Sequence, residues 1–439
     1  MTLNPYRRGR KNDHVNRILK IASVCVALAA LFTLIGRKSS RETEHEHMQR
    51  MIHFDAVVTT NDLNAPKQIY VKGSDGIESI LNGHLDLIEI HVAKLVTKRS
   101  KPLYYDGIEA VFCDLNWDLY KQHPWKYPTY HDLISSSHDC RNNSIKVNLK
   151  DVAEEIRDHD KKKSSSSEIQ VVDDVNLIFH EGKSGANMIS NVLQYMNQDM
   201  HKVYSDPGPM ISALKMCGES YTLCSKETVG VIFSDVSYIM RRVPKTSTVS
   251  KIFFKMQAAA TSNLEVVLSV MSRNKWAFIY REPEEVLASY LNVPHPTLRS
   301  KCLQYKRHSP IQMIEILESF QLQSANLSNE DLCAIYLSSL CASVLSVFKQ
   351  YSSSGQLFNY NQLQNIEPVL KHFEVQTDNH RTTKAAYAQS IYAKSKEKEV
   401  AWIGDNKEKR THLTAGMEKA SIDYLAFNYV TLENYRIKP

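Results

Sequence analysis

Two glycines and a lysine stand close together in the segment EGKSGAN, which follows the apolar run VNLIF and precedes the stretch MISNVLQYM. The run is suited to a buried strand, and the stretch has the apolar spacing of a helix. Backbone N–H groups at a helix start attract anions, glycines let the backbone approach them, and Lys183 adds a full positive charge. The segment is therefore a candidate phosphate-binding turn, made of Gly182, Lys183, Ser184, Gly185, Ala186 and Asn187.

This turn differs from the loop that binds nucleoside triphosphates. Its lysine precedes the second glycine, whereas the motif GxxxxGK[ST] places the lysine after it. A nucleotide kinase, which needs a magnesium-binding hydroxyl after a correctly spaced lysine, is disfavoured for the same reason. A strand and a helix joined by two glycines are also an ordinary connection, so the turn alone does not establish a function.

A second strand–helix junction carries an arginine. The run WAFIY, residues 276–280, predicts a strand, and PEEVLASYL predicts a helix entered through its proline. Arg281 then stands at the carboxyl end of the strand, where open α/β sheets bind ligands, and its planar fork fits phosphate oxygens. Ser289 follows about two turns into the helix. The alternative is structural, with Arg281 pairing Glu284 or Glu285 and Ser289 packing against a neighbouring helix.

Together these segments resemble the sulfotransferase superfamily, whose members transfer a sulfuryl group from 3′-phosphoadenosine 5′-phosphosulfate. The resemblance extends over about residues 170–435, and its pieces follow one another in the family's order. It implies that the glycine turn binds the 5′-phosphosulfate, and that Arg281 and Ser289 bind the 3′-phosphate. The leader segment FCDLNWDLYKQHPWKYPTYHDL further resembles sulfotransferase-like type II membrane proteins of diatoms and related protists.

Two further pieces contain residues to which the resemblance gives roles. KIFFKMQ resembles the family's central strand, where a lysine is followed two positions later by a catalytic residue; here these are Lys255 and Gln257. AWIGDNKEK resembles a late Gly-Asp-x-x-x-Lys region and contributes Gly404 and Lys409 to cofactor binding. The resemblance implies that Lys183 stabilises the leaving 5′-phosphate, that Lys255 contacts the sulfuryl oxygens and that Gln257 orients the acceptor.

The chain departs from the family at several of these positions. Ala186 and Asn187 replace small hydroxyl residues after the loop glycine, although the Asn187 amide can still donate a hydrogen bond. Gln257 stands where soluble members have a histidine base, and glutamine cannot take a proton. Either the base lies elsewhere, with His180 and Glu181 the nearest candidates by sequence, or the chain binds nucleotide without turnover.

The resemblance predicts a sulfotransferase whose acceptor is a hydroxyl or amine on a glycan, a protein tyrosine or a small secreted molecule, with lumenal anchoring favouring a glycan. The alternative is a catalytically silent relative that binds nucleotide or serves as a lumenal scaffold. No metal is expected, since no paired carboxylates or histidine cluster have suitable spacing. The net charge of +6, from 54 basic and 48 acidic residues, is too small to indicate nucleic acid.

An uncharged run near the N-terminus, IASVCVALAALFTLIG, predicts a helix that spans a bilayer. Basic residues are denser before it than after it, which places the N-terminus in the cytosol. The chain is then a type II single-pass protein of the Golgi or another secretory membrane, and the alternative is a cleaved signal peptide. The predicted parts are a cytosolic tail (1–17), a transmembrane anchor (18–36), a stem (37–52), a leader subdomain and linker (53–168) and an α/β domain (169–439).

The predicted fold is a mostly parallel α/β sheet flanked by helices, with the nucleotide at its carboxyl edge. The composition is globular, since 43% of the 439 residues are apolar and 23% are charged. Residues 311–351 predict helices that cover one side of the sheet. The aromatic residues of the leader form either a sugar-stacking platform or, as is commoner, a small core; they are Trp117, Trp125, Tyr127 and Tyr130.

Seven cysteines follow the membrane run, so disulfides formed among them in a lumen leave one thiol that stays free or pairs elsewhere. None has zinc-ligand spacing, and Cys217 and Cys224 are interpreted as structural. Two glycosylation sequons, beginning at Asn142 and Asn326, match a lumenal chain, although such triplets also arise by chance.

Overall fold

The computed structural model describes residues 74–98, 103–138, 140, 143–162, 168–218, 221–292, 302–376 and 406–437. All of them belong to one compact unit, Gln68–Pro439. The predicted cytosolic tail, membrane anchor and stem lie outside the described residues, as do Asn142 and Gly404.

The first part of the described chain is a three-stranded antiparallel sheet with helices around it. Its strands, in spatial order, are β1 (Asp86–Lys98), β2 (Tyr104–Cys113) and β3 (Ile145–Asn148). Its helices are α1 (Ser74–Leu81), α2 (Trp117–Gln122), α3 (Tyr130–Ser136) and α4 (Leu149–Lys162). A capping box between Thr129 and Asp132 satisfies the first N–H groups of α3 and fixes where it begins.

The rest of the chain alternates strands and helices. Its strands are β4 (Ile169–Val171), β5 (Val175–His180), β6 (His201–Ser205), β7 (Arg242–Pro244), β8 (Lys251–Lys255), β9 (Lys275–Tyr280) and β10 (Gly355–Asn359). Its helices are α5 (Ala186–Met196), α6 (Gly208–Lys215), α7 (Lys226–Met240), α8 (Leu264–Val270), α9 (Pro283–Leu291), α10 (Ile311–Ser319), α11 (Asn329–Tyr351), α12 (Glu367–His372), α13 (Asn406–Thr411), α14 (Ala415–Ala420) and α15 (Ala426–Ile437).

Five of these strands form one all-parallel sheet in the order β10-β9-β5-β8-β6, which confirms the predicted α/β class. Such a sheet is covered by helices, so its inner strands carry continuous apolar runs. All six residues of β5 are buried, and so are all but the first residue of β8 and of β9.

The strand order creates a switch point between β5 and β9. The chain leaves β5 through α5 toward β6 on one side of the sheet, and it leaves β9 toward β10 on the other side. Connections that diverge in this way open a crevice at the carboxyl ends of the two strands, and such crevices bind ligands in open α/β sheets. The turn after β5 and the residue after β9 therefore meet at the same edge.

The predicted helical stretch 311–351 contains all of α10 and α11. Within the described residues, α11 is long and apolar enough to cross a membrane by length and composition, and 72% of its apolar window is buried inside the protein. Its side chains pack against α9, α10 and the C-terminal helices. It therefore has the surroundings of a core helix.

The antiparallel sheet shares one hydrophobic core with the parallel sheet. Two polar contacts join them as well: the Tyr105 hydroxyl donates to Asp235 of α7 at 2.5 Å, and the Lys202 ammonium of β6 donates to Asp86 at 2.8 Å. The leader is thus packed directly against the side of the parallel sheet that ends with β6.

Three disulfides join Cys113 to Cys140, Cys217 to Cys224 and Cys302 to Cys333. Among the described cysteines, Cys341 alone is free, and it is buried in α11. This agrees with the expectation that disulfides form and leave one thiol over, and it is the pattern of a chain that folds in an oxidising compartment.

Candidate functional site

The glycine turn follows β5 and leads into α5, as its sequence predicts. Gly182, Lys183 and Gly185 all have left-handed backbones, with φ of +90°, +55° and +87°. A side chain at Gly182 would also place its Cβ 2.1 Å from the hydroxyl of Tyr290. The backbone can make this turn because glycine accepts both the positive φ and the close contact.

Within the turn, the side chains fall into two groups. Lys183 and Asn187 are exposed, at the edge of the sheet where an anion would arrive. Ser184 is fully buried, and its hydroxyl donates to the backbone oxygen of Ile279 in β9 at 3.0 Å. The hydroxyl of Ser184 therefore holds the turn against β9, whereas the sequence resemblance assigns it to the cofactor.

Arg281 lies at this turn, directly after β9. Its Nη1 is 3.4 Å from the backbone oxygen of Lys183, and the centre of its guanidinium is 4.1 Å from the centroid of the Tyr360 ring. Its Nε donates to Glu285 at 2.9 Å, and only 2% of the residue is exposed. The structure thus brings Arg281 to the turn as the resemblance implies, and it also pairs Arg281 with Glu285 as the structural alternative expects.

Glu285 is fully buried and joins two arginines. One carboxylate oxygen accepts from Arg281 and the other accepts from Nε of Arg410 at 3.1 Å. Arg410 lies in α13, which packs against α9, and its side chain is 61% exposed. The residue predicted from sequence to bind the cofactor here is Lys409, which precedes Arg410 in the same helix; Arg410 was not predicted. The network of two arginines and one glutamate keeps a net positive charge beside the turn.

Ser289 is positioned by its own helix. Its hydroxyl donates to the backbone oxygen of Glu285 at 2.8 Å, one turn earlier in α9, and 5% of the residue is exposed. A serine bonded in this way has satisfied its hydroxyl within the helix. In this conformation it stabilises the same turn of α9 that places the Glu285 carboxylate beside Arg281.

The two residues proposed from sequence as nearby bases are both held in place by the backbone. Glu181 is 2% exposed; its carboxylate accepts from the Arg281 N–H at 2.5 Å, and the Cys341 thiol donates to it at 3.7 Å. Burial raises the pKa of Glu181 to about 8, although these two hydrogen bonds act in the opposite direction. Nδ1 of His180 accepts from the N–H of Gly182 at 2.9 Å. Glu181 is thus a protonated, enclosed carboxyl near neutral pH.

A carboxylate that is more exposed than that of Glu181 lies two strands from β5. The usual spacing between neighbouring strands puts it about 10 Å from β5. Asp206 follows β6, and its Oδ1 accepts from Nζ of Lys255, at the end of β8, at 2.7 Å. The side chain of Lys255 is 1% exposed and that of Asp206 is 18% exposed. Asp206 has φ of +55°, and its N–H donates to the Lys255 carbonyl at 2.7 Å, so the turn itself aims the carboxylate at the ammonium.

Gln257 lies two residues after Lys255 and begins the short helix Ala258–Asn263. It is half-buried, and within the described residues its side chain makes no hydrogen bond. Its amide is consequently available to a ligand at the carboxyl edge, between Asp206 and the glycine turn.

The leader borders the same edge. The Ser205 hydroxyl donates to the backbone oxygen of Pro128 at 2.6 Å, and α2 packs against α5. Trp117 and Tyr130 pack on Tyr204 in the core, with ring centroids 5.2 and 5.4 Å from it, so these two belong to a core and not to a sugar platform. Three buried polar atoms here have no hydrogen-bond partner within the described part of the chain: Oη of Tyr120, Nδ1 of His123 and Nε1 of Trp125.

The negative charge of Asp206 acts on the buried hydroxyl of Tyr120. Burial, and then the charge of Asp206, raise the pKa of Tyr120. The tyrosine hydroxyl and the carboxylate are not hydrogen-bonded to each other within the described structure.

In the described part of the chain, neither a metal-ligand cluster nor the cavity beside α12 belongs to this site. Among the described residues, no group of three or more histidine, cysteine, aspartate or glutamate side chains could hold a metal ion. An open cavity of about 760 Å³ lies beside α12, next to Glu374. Glu374 pairs with Lys275 at 2.6 Å, which puts this cavity at the amino end of β9, away from the crevice.

The chain matches no protein-family model, and no curated protein is significantly similar to it in sequence.

Proposed function

We propose that the chain is a membrane-anchored lumenal sulfotransferase that moves a sulfuryl group from 3′-phosphoadenosine 5′-phosphosulfate to a hydroxyl or amine of an acceptor, with a glycan as the favoured class. One observation carries the proposal: the guanidinium of Arg281 lies 3.4 Å from the Lys183 backbone, at the switch point of a parallel sheet. Two cationic sites at one sheet edge are what an adenosine bisphosphate requires, because its two phosphates are separated by the ribose.

The arginine pair explains how the 3′-phosphate is bound although Arg281 already has a partner. Glu285 has a second cation, Arg410, so its carboxylate keeps a partner when Arg281 turns one N–H edge toward a phosphate. A buried carboxylate without any partner would be costly. Arg410 and Lys183 are both exposed and add charge at the mouth of the crevice.

Sulfuryl transfer resembles phosphoryl transfer, in which positioning and electrostatics do most of the work. Lys183 faces the leaving 5′-phosphate, and backbone N–H groups at the start of α5 share its charge. Asp206 is the general base that takes the acceptor proton, and the Lys255 ammonium holds it. Gln257, which lies between Asp206 and the glycine turn, orients the acceptor.

The acceptor approaches from the leader side of the sheet. Asp206 is the partly exposed carboxylate on that side, next to Ser205, whose hydroxyl bonds the leader at Pro128. A glycan is favoured because the chain is proposed to face a secretory lumen. Three disulfides support that location, and the N-terminal apolar run supplies the anchor.

A second candidate function is a catalytically silent protein that binds nucleotide or acts as a scaffold. Specific observations favour it: the hydroxyls of Ser184 and Ser289 are both bonded to backbone oxygens, and Gln257 replaces a base. This candidate requires that donor binding, where it occurs, is not followed by transfer.

The two functions are separated by one experiment on the full chain in detergent. We expect 3′-phosphoadenosine 5′-phosphate to bind at least tenfold more tightly than adenosine monophosphate, and labelled donor to transfer its sulfuryl group to members of a mixed glycan set. Arg281→Ala abolishes the tenfold preference. The absence of any labelled product, with or without preferential binding, supports the silent protein. Equal binding of the two nucleotides contradicts the sulfotransferase.

A further inference from the structure

The second sequon of the chain, Asn326-Leu327-Ser328, lies in a surface turn just before α11. Asn326 ends the short helix Ser324–Asn326, and its side chain is exposed. Within the described residues, its amide nitrogen makes one hydrogen bond, to the also exposed side chain of Gln323, at 3.3 Å. The Asn326 side chain therefore contributes little to the stability of the fold, and its exposed amide has space for an attached group.

Ser328, the third residue of the sequon, has a structural task of its own. Its hydroxyl accepts from the N–H of Asp331 at 3.0 Å and donates to the Asp331 carboxylate at 2.8 Å, which caps the first turn of α11. The glycosylation enzyme reads a serine or threonine at this position of the sequon. The folded chain holds that hydroxyl in the cap, so modification has to precede formation of the first turn of α11.

We propose that Asn326 carries an N-linked glycan. In the reaction, Nδ2 of Asn326 forms a bond to C1 of a lipid-linked oligosaccharide pyrophosphate, the C1–oxygen bond breaks, the lipid pyrophosphate leaves, and one amide proton is lost. The proposal rests on the lumenal location, not on the sulfotransferase activity. The location has independent support from the three disulfides of the described chain.

The position of Asn326 couples this modification to disulfide formation. Asn326 lies in the segment closed by Cys302 and Cys333, whose separation is 31 residues. Closing the disulfide restricts the segment and favours α11, which begins between the sequon and Cys333. Glycan transfer and disulfide closure therefore compete for the same unfolded segment, and the glycan must be added first.

The experiment expresses the full chain in secretory cells with Asn142→Gln, so that only the Asn326 sequon remains of the two. We expect digestion with an enzyme that removes N-linked glycans to shift the chain to the mobility of Asn326→Gln. Two substitutions at Ser328 form a matched pair. Ser328→Thr keeps the cap and the sequon and stays glycosylated, whereas Ser328→Asn keeps the cap, removes the sequon and loses the glycan.

Protease protection in sealed microsomes separates the two ways in which this proposal fails. A chain that is protected but carries no glycan overturns the modification and leaves the lumenal location standing. A chain that is digested overturns both. Cys302→Ser, which prevents closure of the segment, should leave the glycosylated fraction equal to or greater than that of the parent chain; a smaller fraction contradicts the ordering of glycan before disulfide.

Discussion

Nζ of Lys255 donates to Oδ1 of Asp206 at 2.7 Å, across the carboxyl ends of two adjacent strands, β8 and β6. The lysine is enclosed and the aspartate is partly exposed, so the pair presents its carboxylate to solvent at the carboxyl edge of the sheet. The left-handed backbone of Asp206 is part of this geometry, since aspartate and asparagine tolerate that conformation better than other non-glycine residues.

The first prediction concerns the base. Asp206→Asn keeps the size and the left-handed preference of the side chain but removes its ability to take a proton. We expect kcat for sulfuryl transfer to fall by about 10²- to 10⁴-fold, with the affinity for 3′-phosphoadenosine 5′-phosphate nearly unchanged. Transfer assays and calorimetric binding on the same preparation measure both. Undiminished transfer would remove Asp206 from the mechanism.

The second prediction concerns the charge network beside the turn. Glu285→Gln leaves the enclosed guanidinium of Arg281 without its anionic partner, so the free energy of unfolding should fall by about 3 kcal/mol. A bound 3′-phosphate replaces the lost anion. We therefore expect 3′-phosphoadenosine 5′-phosphate to raise the Tm of the variant more than that of the wild type.

Adenosine monophosphate, which has no 3′-phosphate, is the control ligand for this comparison. It should raise the Tm of the variant no more than that of the wild type. An equal rise in both proteins with the bisphosphate would show that its 3′-phosphate does not reach Arg281.

The third prediction tests the shape of the turn. Gly182→Ala introduces a side chain at φ of +90° and 2.1 Å from the Tyr290 hydroxyl, so it should lower the free energy of unfolding by about 2 kcal/mol or more. Gly230→Ala in α7 is the matched control, because its Cβ would lie at an ordinary 3.5 Å from Val270. That change should be neutral or stabilising by up to about 1 kcal/mol. Urea unfolding of the two variants makes the comparison.

The fourth prediction concerns pH. The pKa of Glu181 is about 8 in the folded chain, above its usual value of 4.5, because burial disfavours the carboxylate. Between those two values the unfolded chain loses a proton that the folded chain keeps. Stability from this group is therefore present in full below about pH 4.5 and is lost as pH rises to about 8, with a slope of about 1.4 kcal/mol per pH unit.

Glu181→Gln imitates the protonated carboxyl and should remove that slope. Its amide oxygen can still accept from the Arg281 N–H, which the wild-type carboxyl does at 2.5 Å. Urea midpoints of both proteins at intervals from pH 5 to 9 give the difference curve. Parallel curves would mean that Glu181 ionises in the folded chain at its ordinary pKa.

The order of strands explains why the sequence predicted some of this site and missed the rest. Local patterns are sufficient to locate a strand that ends in a glycine turn and a strand that ends in Arg281. The partner of Ser184 depends on β9 lying beside β5, and the two bonded residues are 95 positions apart in the chain. The partner of Lys255 is likewise 49 positions away. Asp206 is an isolated aspartate before a proline, and nothing local distinguishes it.

The two arginines also differ in how far a local pattern reveals their partners. Closeness in sequence indicated that Arg281 could pair with Glu284 or Glu285, and the structure has the pair with Glu285. Arg410 could be recognised only after α13 was seen packed against α9, because it is one of several neighbouring basic residues in NKEKR. The phosphate-binding role of Arg281, and the supporting role of Arg410, stay predictions.

The buried thiol of Cys341 in α11 reports whether the interior of the folded chain stays closed. The Cys341 thiol is 3% exposed, and burial raises its pKa well above the usual value, so a maleimide in solution meets neither an accessible sulfur nor a thiolate. The three disulfides withhold the other six described cysteines from the reagent. Alkylation at position 341 therefore counts the molecules whose interior has opened, and it does so without any introduced label.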